Sequence, residues 1–391
     1  MTAVDELLLE KLNTLIVVIN NEGKIEYAGK SVKQMLGYSP EYVSGRNWWI
    51  FAGDTKKERR ESLLFVNSLM KMNPEISSFT FERKIISVSG SPRWIRWNLS
   101  RNDEHSLIGI GYDITATKEA EERLKESNEL LRKKNEEITD SIEYAQRLQQ
   151  SFLPDIRKLK NVFSDAFVLY QPKDLLSGDF YWYHQTDEKI ILFAIDCTGH
   201  GVPGALMSVL AHSIVKEVVL NKKIESPSEI LHAIDEELFH SLQNHEKEEM
   251  IKDGMDVAVA VFDLKKNNVR FSGAFRPMMM IRNGKLMEFP ASRFPIGFYQ
   301  DIRKEYEEFH SDFKKGDLFY LFTDGFADQF GGDPSMNSGA KKLNKKRFSE
   351  LLLTACDMEG EEQASFLAYA HTNWKQQEDQ TDDILVLGIK I

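Results

Sequence analysis

Four short apolar runs in this 391-residue chain begin or end on aspartate. Residues 179–183 open on Asp179, and residues 190–195 run into Asp196. Residues 318–322 lead to Thr323-Asp324-Gly325, and Asp382-Asp383 stands before residues 384–389. Brief runs rich in β-branched and aromatic side chains, bounded by turn residues, read as buried strands. If the first two are antiparallel neighbours, Asp179 and Asp196 lie side by side. Carboxylates that close repel unless a cation or a proton lies between them. A single aspartate at a strand end reads as a turn or capping residue. Several of them, each at the end of a buried strand, point to a hard divalent cation held by oxygen ligands.

The stretches Ser177-Gly178-Asp179-Phe180, Asp196-Cys197-Thr198-Gly199-His200-Gly201, Phe322-Thr323-Asp324-Gly325 and Thr381-Asp382-Asp383 occur in a telling order. That order resembles the metal-dependent protein serine/threonine phosphatases (PPM, type 2C), above all the bacterial branch named after the sporulation phosphatase SpoIIE, over residues 140–391. The resemblance implies an α-β-β-α sandwich, two antiparallel sheets flanked by helix pairs. It implies two divalent ions, Mn²⁺ or Mg²⁺, bridged by a hydroxide that attacks phosphorus in line without a phospho-enzyme. Asp179 and Asp196 would bridge the ions, and the backbone carbonyl of Cys197 would complete one shell. Asp324 and Asp382 would hold the other ion. Asp328 and Asp253 match positions of a third, weaker metal in some relatives; both also read as surface carboxylates. Asp383 is expected to orient a ligand rather than to be one. Oxygen-only ligands favour Mg²⁺ or Mn²⁺ over Zn²⁺.

The pattern departs from animal relatives in two places. There a His follows the second Asp after a single Gly and serves as general acid. Here Cys197-Thr198-Gly199 intervenes before His200, which reads equally as an acid or as a loop residue bonded to backbone. No Arg precedes Asp179 at the spacing where those relatives hold phosphate, and Lys173 is the nearest cation. The basic run Lys341, Lys342, Lys345, Lys346 and Arg347 falls in an expected flap. It reads as a solvated face or as a contact for an acidic phosphoprotein.

Upstream, residues 15–19 and 24–27 read as strands paired across the turn Asn20-Asn21-Glu22-Gly23, after a lead-in helix over residues 4–13. Ser39-Pro40-Glu41 starts a helix with an N-cap and a proline at the first position. Phe79 and Phe81, then Ile95, Trp97 and Leu99, then Ile108, Ile110 and Tyr112 alternate along three further strands. This β-β-helices-β-β-β order resembles a PAS sensor domain, with Gly37-Tyr38-Ser39-Pro40-Glu41 and Gly111-Tyr112-Asp113-Ile114-Thr115 similar to its signatures. The region holds no Cys, which excludes flavin–thiol photochemistry, and its only His, His105, reads as a solvated turn residue. Trp48, Trp49, Trp94 and Trp97 read first as core and second as a pocket lining. The sensor's ligand is left unknown.

Residues 119–150 contain no Gly or Pro and are rich in Glu, Lys, Leu and Gln. Leu124, Leu131, Ile138, Ala145 and Phe152 recur every seven residues, which sets Asn128, Asn135, Ile142 and Gln149 at the alternate core position. Apolar d with Asn at a is how a parallel two-stranded coil fixes its register. The spacing predicts a parallel homodimer, with a single amphipathic helix packed on its own domains as the other reading. Pro154 ends it.

The chain is thus expected to be α+β: a PAS domain over 1–117, a coiled-coil signalling helix over 118–153, and a phosphatase domain over 154–391. Net charge is −11, which argues against nucleic acid or an anionic membrane as partner. The two Cys, Cys197 and Cys356, form no disulfide framework, and no apolar run reads as long enough to span a bilayer. The expectation is a soluble cytoplasmic protein without a leader. Its expected role is a sensor-regulated phosphatase acting on a phosphorylated regulatory protein, such as an anti-sigma factor antagonist. The alternatives are a catalytically inactive scaffold and a metal-dependent phosphodiesterase.

Overall fold

The computed structural model describes residues 14–20, 22, 24–45, 55–71, 78–101, 105–242, 253–297, 304–332 and 340–391. The expected lead-in helix at 4–13, turn residues Asn21 and Gly23, Trp48, Trp49, the middle of the flap (333–339) and the helix end at 243–244 lie outside the described residues. The chain divides into two compact units after Asn135.

The N-terminal unit holds β1 (Thr14–Asn20), β2 (Ile25–Ala28), β3 (Ser78–Ile86), β4 (Pro92–Arg101) and β5 (Ser106–Asp113). They form one antiparallel sheet in the order β2-β1-β5-β4-β3, and helices 31–36, 40–43 and 56–71 are inserted between β2 and β3. Ser39 caps the 40–43 helix, its hydroxyl accepting from Tyr42 N–H at 3.2 Å. Trp97 is buried with Leu15, Val17 and Ile95 in the unit's core. Trp94 instead meets the Lys118 ammonium at 5.8 Å from its ring centre. The Asp113-Ile114-Thr115 stretch is a junction. Asp113 accepts from Thr115 N–H at 2.8 Å, and the Thr115 hydroxyl accepts from Trp94 N–H at 2.8 Å. Glu82, paired with Lys118 and Arg96 at 2.8 Å each, ties the start of the next helix to the sheet.

That helix spans Thr115–Phe152 and stops just short of Pro154, as expected. Leu124, Leu131 and Ile138 are 57–62% exposed in the single chain, and Asn128 and Asn135 are exposed beside them. The heptad reading fails at its C-terminal end. Gln149 is buried within the second unit, and Phe152 stacks on His212 with ring centres 5.2 Å apart. The last turn has a packing partner in its own chain, so these positions are not free to pair with a second helix.

The C-terminal unit is a four-layer sandwich. One sheet comprises β7 (Asp179–Gln185), β8 (Lys189–Cys197), β9 (Gly254–Asp263), β10 (Asn268–Ala274) and β14 (Phe309–Asp312), in the order β14-β10-β9-β8-β7, with β13 (Ile296–Gly297) paired to β9. The other comprises β6 (Asp165–Gln171), β11 (Met278–Arg282), β12 (Lys285–Phe289), β15 (Leu318–Phe322) and β18 (Ile384–Lys390), in the order β12-β11-β15-β18-β6. Short β16 (Phe330–Gly331) and β17 (Lys341–Lys342) pair with each other. The two-residue period of a strand divides each run between two cores. On β8, Ile190, Leu192 and Ala194 face the space between the sheets, while Ile191, Phe193 and Ile195 face helices 201–216 and 227–242. On β15, Phe319 and Leu321 face inward, while Leu318, Tyr320 and Phe322 pack under helices 344–355 and 360–375.

Three local expectations are corrected. The first strand starts at Asp165 rather than 162, because a 3-10 turn (Ile156–Asn161) precedes it. The helix expected from Ala205 starts at Gly201, since Pro203 falls in its first turn, where no N–H is needed. It runs on through a π turn to Asn221, so 201–221 is long and apolar enough to cross a membrane by composition alone; half of that stretch is buried inside the unit, as for a core helix. The capping box at Ser226–Glu229 is replaced: the Ser226 and Ser228 hydroxyls donate to Glu308 at 2.7 and 3.2 Å.

Candidate metal centre

Antiparallel pairing builds a row of acids. Asp179 on β7 is the ladder partner of Asp196 on β8, and Asp196 is the partner of Asp256 on β9. Directly paired residues share a face, so the three side chains leave the same end of one sheet together. From the other sheet come Asp324, after β15, and Asp382-Asp383, before the adjacent strand β18. Burial pushes the Asp179 carboxyl well above the usual carboxylate range, and Asp196, Asp383 and Asp382 add to it. Burial also pushes Asp196 up to about 7; Arg276 opposes the shift, and Asp324, Asp256 and Asp382 reinforce it. Asp256 rises to about 6, by burial first and with Arg276 again opposing. Asp382 is raised chiefly by burial, in part by Asp324 and Asp383. The sheet ends therefore gather more negative charge than the fold itself neutralises.

The loops around the row are held by hydrogen bonds that explain the local sequence. The Thr323 hydroxyl donates to Asp179 Oδ2 at 2.6 Å. Asp383 accepts from backbone on both oxygens, from Lys173 N–H and from Gly178 N–H, at 2.7 Å each. A carboxylate bonded to both amides ties the Asp179 loop to the start of β18. Gly178 has no room for a side chain: a Cβ there would stand 2.5 Å from the Gly199 carbonyl oxygen and 2.9 Å from that of Cys197. Gly325 is tighter still, its Cβ falling 1.9 Å from the Asp383 carbonyl oxygen. The Cys197 side chain is buried in the core beneath the helices.

Other residues singled out by sequence have side-chain partners outside the row. Asp253 accepts from the Thr198 hydroxyl at 3.2 Å. Asp328 ends the short helix Gly325–Asp328 and pairs with Lys342 at 2.7 Å. His200 is half-exposed; its Nδ1 meets Asp174 Oδ2 at 2.7 Å, and its Nε2 lies 3.2 Å from Lys173 Nζ. That trio replaces the backbone-bonded loop His expected as one alternative. In the basic run, Lys342 is committed to Asp328, Lys345 to Glu288 at 2.5 Å, and Arg347 lies 4.5 Å over Trp374.

Two residues at the centre were missed. Asp256 lies inside an apolar strand, next to its start, as Asp196 lies next to the end of its own; that pattern was the available signal. Arg276 had none, being one cation between two strands. It occupies the crossing from β10 in one sheet to β11 in the other. Its Nη2 lies 2.7 Å from Asp196, 2.8 Å from Asp256 and 2.7 Å from Asp324. Among the described residues no group of three metal-ligating side chains stands ready as a shell; the guanidinium takes the central place instead. A cation is thus what these carboxylates converge upon. The donors are all oxygen, which suits a hard divalent ion.

The comparisons agree with this architecture. A PAS domain model matches residues 13–116, and the model described as Stage II sporulation protein E (SpoIIE) matches residues 186–391, more than half of the chain. Phosphoserine phosphatase RsbP of Bacillus subtilis (strain 168) is 24% identical over 190 residues, 48% of this chain and 45% of its own. Phosphoserine phosphatase RsbU of the same organism is 24% identical over 206 residues, 51% of this chain and 57% of its own. The chain spans about half the length of the curated relatives it matches. The solved SiaA-PP2C domain of Pseudomonas aeruginosa superposes with a TM-score of 0.58 at 28% identity, covering 66% of this chain and 98% of that domain. With a PAS domain at its N-terminus and a PP2C fold at its C-terminus, the chain belongs to the SpoIIE family.

Proposed function

We propose that this chain is a metal-dependent phosphoserine and phosphothreonine protein phosphatase governed by its PAS unit. The observation that carries the reading is the row Asp179–Asp196–Asp256, faced by Asp324 and Asp382 across the ends of two sheets. The relatives named phosphoserine phosphatase support the substrate class. Asp179, Asp196, Asp324 and Asp382, with the Cys197 carbonyl, would hold two Mg²⁺ or Mn²⁺ ions. Such ions, when bound, supply Lewis acidity and a water activated for attack on phosphorus. The chain's own groups do the rest. Thr323 and Asp383 fix the Asp179 carboxylate and its loop. Asp174 holds His200 at Nδ1, and the Lys173 ammonium, which can only donate, faces its Nε2; the trio would add positive charge beside the departing serine oxygen.

Regulation in this reading runs through the 115–152 helix. Gln149 donates to the Ser177 carbonyl at 2.6 Å and accepts from Ser177 N–H at 3.1 Å, two residues ahead of Asp179. A parallel homodimer joined by Leu124, Leu131 and Ile138, with Asn128, Asn135 and Ile142 between them, would let the PAS unit turn or shift that helix. The substrate is then a phosphorylated regulatory protein, such as an anti-sigma factor antagonist. The test is hydrolysis of an aryl phosphate and of a phosphoserine peptide by the full chain in Mn²⁺. Turnover abolished by EDTA and by Asp179→Ala is the expected result. Turnover that survives Asp179→Ala would remove the reading, and no turnover by the unaltered chain would leave a scaffold.

A further inference from the structure

Arg276 places a single guanidinium nitrogen against three carboxylates, and that arrangement is over-subscribed. Nη2 carries two N–H bonds, yet Asp196, Asp256 and Asp324 all approach it within 2.8 Å. Three negative charges against one positive leave the group short of cations. The side chain is 14% exposed. Its Nε is buried and has no hydrogen-bond partner among the described residues. A buried donor without a partner is costly, so it is expected where a ligand completes it. The Nε/Nη edge of a guanidinium is a planar two-donor fork that fits two oxygens of a phosphoryl group. The residue also sits on the segment crossing between the sheets, beside Phe275 at φ 61°. A left-handed φ at a bulky residue is held by its surroundings, so the position of Arg276 is built in.

We propose that Arg276 is the phosphate-holding cation of this site and also the competitor that its divalent metal must displace. The inference rests on the metal-dependent reading above and deepens it. A divalent ion held by Asp196 and Asp324 would take carboxylate oxygens that Nη2 now shares. The guanidinium, released from them but fixed by its segment, then turns its fork to the phosphoryl oxygens. It thereby fills the role for which no Arg stands ahead of Asp179. Metal loading and substrate binding become linked, because the same cation opposes the first and assists the second.

The experiment is calorimetric titration of the full chain with Mn²⁺, and of Mn²⁺-loaded protein with inorganic phosphate, for the unaltered chain, Arg276→Met and Arg276→Lys. Arg276→Met is expected to bind Mn²⁺ at least 10-fold more tightly and phosphate at least 10-fold more weakly. Arg276→Lys keeps the charge and loses the fork, so its Mn²⁺ affinity should stay near that of the unaltered chain while phosphate binding falls. If Arg276→Met fails to fold without metal, folding rescued by Mn²⁺ below the concentration that saturates the unaltered chain supports the proposal. Equal Mn²⁺ affinity in the unaltered chain and Arg276→Met overturns the proposal and leaves the phosphatase reading standing. Absence of Mn²⁺ binding in all three overturns both.

Discussion

Replacing Gln149 by Met keeps the volume of the side chain and removes its hydrogen bonds. In the native chain its amide donates to the Ser177 carbonyl at 2.6 Å and to the Ser208 hydroxyl at 2.9 Å, and its carbonyl accepts from Ser177 N–H at 3.1 Å. Ser208 has a second partner, the Ala205 carbonyl, at 2.8 Å, so it loses little. Ser177 is fully buried and loses a partner for both backbone groups at once. At about 1–3 kcal/mol per stranded buried group, the cost is about 2–6 kcal/mol. With roughly 2–4 °C per kcal/mol for a unit of this size, Tm should fall by about 4–24 °C. The alternative to that cost is for Ser177 to shift toward water and carry Asp179 with it, so lost stability and lost turnover trade against each other. Thermal unfolding and Mn²⁺-dependent hydrolysis of an aryl phosphate, measured on the same preparation, capture both. An unchanged Tm together with unchanged turnover would refute the proposed path from the helix to the Asp179 loop.

Further predictions concern the same elements. Without metal, Asp196 holds its proton up to about 7 in the folded chain and only to about 3.9 when unfolded. The folded state then binds more protons than the unfolded state across that window, so stability is greatest below it and falls as pH rises through it, by at most about 4 kcal/mol. Tm in EDTA should therefore drop between pH 5 and pH 8 and do so less in Asp196→Asn; an identical slope in the two would count against the buried acid row. Gly325→Ala forces a Cβ to within 1.9 Å of the Asp383 carbonyl oxygen, so the 382–383 segment must move. Mn²⁺ affinity should fall at least 10-fold in calorimetry, and an unchanged affinity would show that Asp382 holds no metal. Leu131→Glu places a charge at the centre of the expected coil, and the mass in solution should change from two chains to one. Equal mass before and after would remove the parallel dimer.

Much of this was legible because strands with an acid at one end carry their own geometry. The pairing of Asp179 with Asp196 follows from two short antiparallel runs joined by a tight turn, and the existence of the PAS unit's strands follows from their alternation. Asp256 could have been read by the same rule. Arg276 could not, because its importance comes from the crossing between two sheets and not from any local pattern. Gln149 shows the opposite error. It continues a seven-residue repeat, but periodicity reports only which face of a helix is shared and says nothing of what covers it. The first heptads are exposed in the single chain, while the last turn is buried on Ser177 and Ser208. The flap lysines likewise read as one basic patch, yet Lys342 and Lys345 are each engaged by an acid.

Anomalous diffraction from crystals of the full chain grown with Mn²⁺ shows whether the ends of the two sheets bind divalent cations. Two manganese peaks about 3.5–4 Å apart, bounded by Asp179, Asp196, Asp324 and Asp382, are predicted. Manganese found elsewhere, or Asp196, Asp256 and Asp324 still closed on Arg276 at saturating Mn²⁺, would contradict such binding.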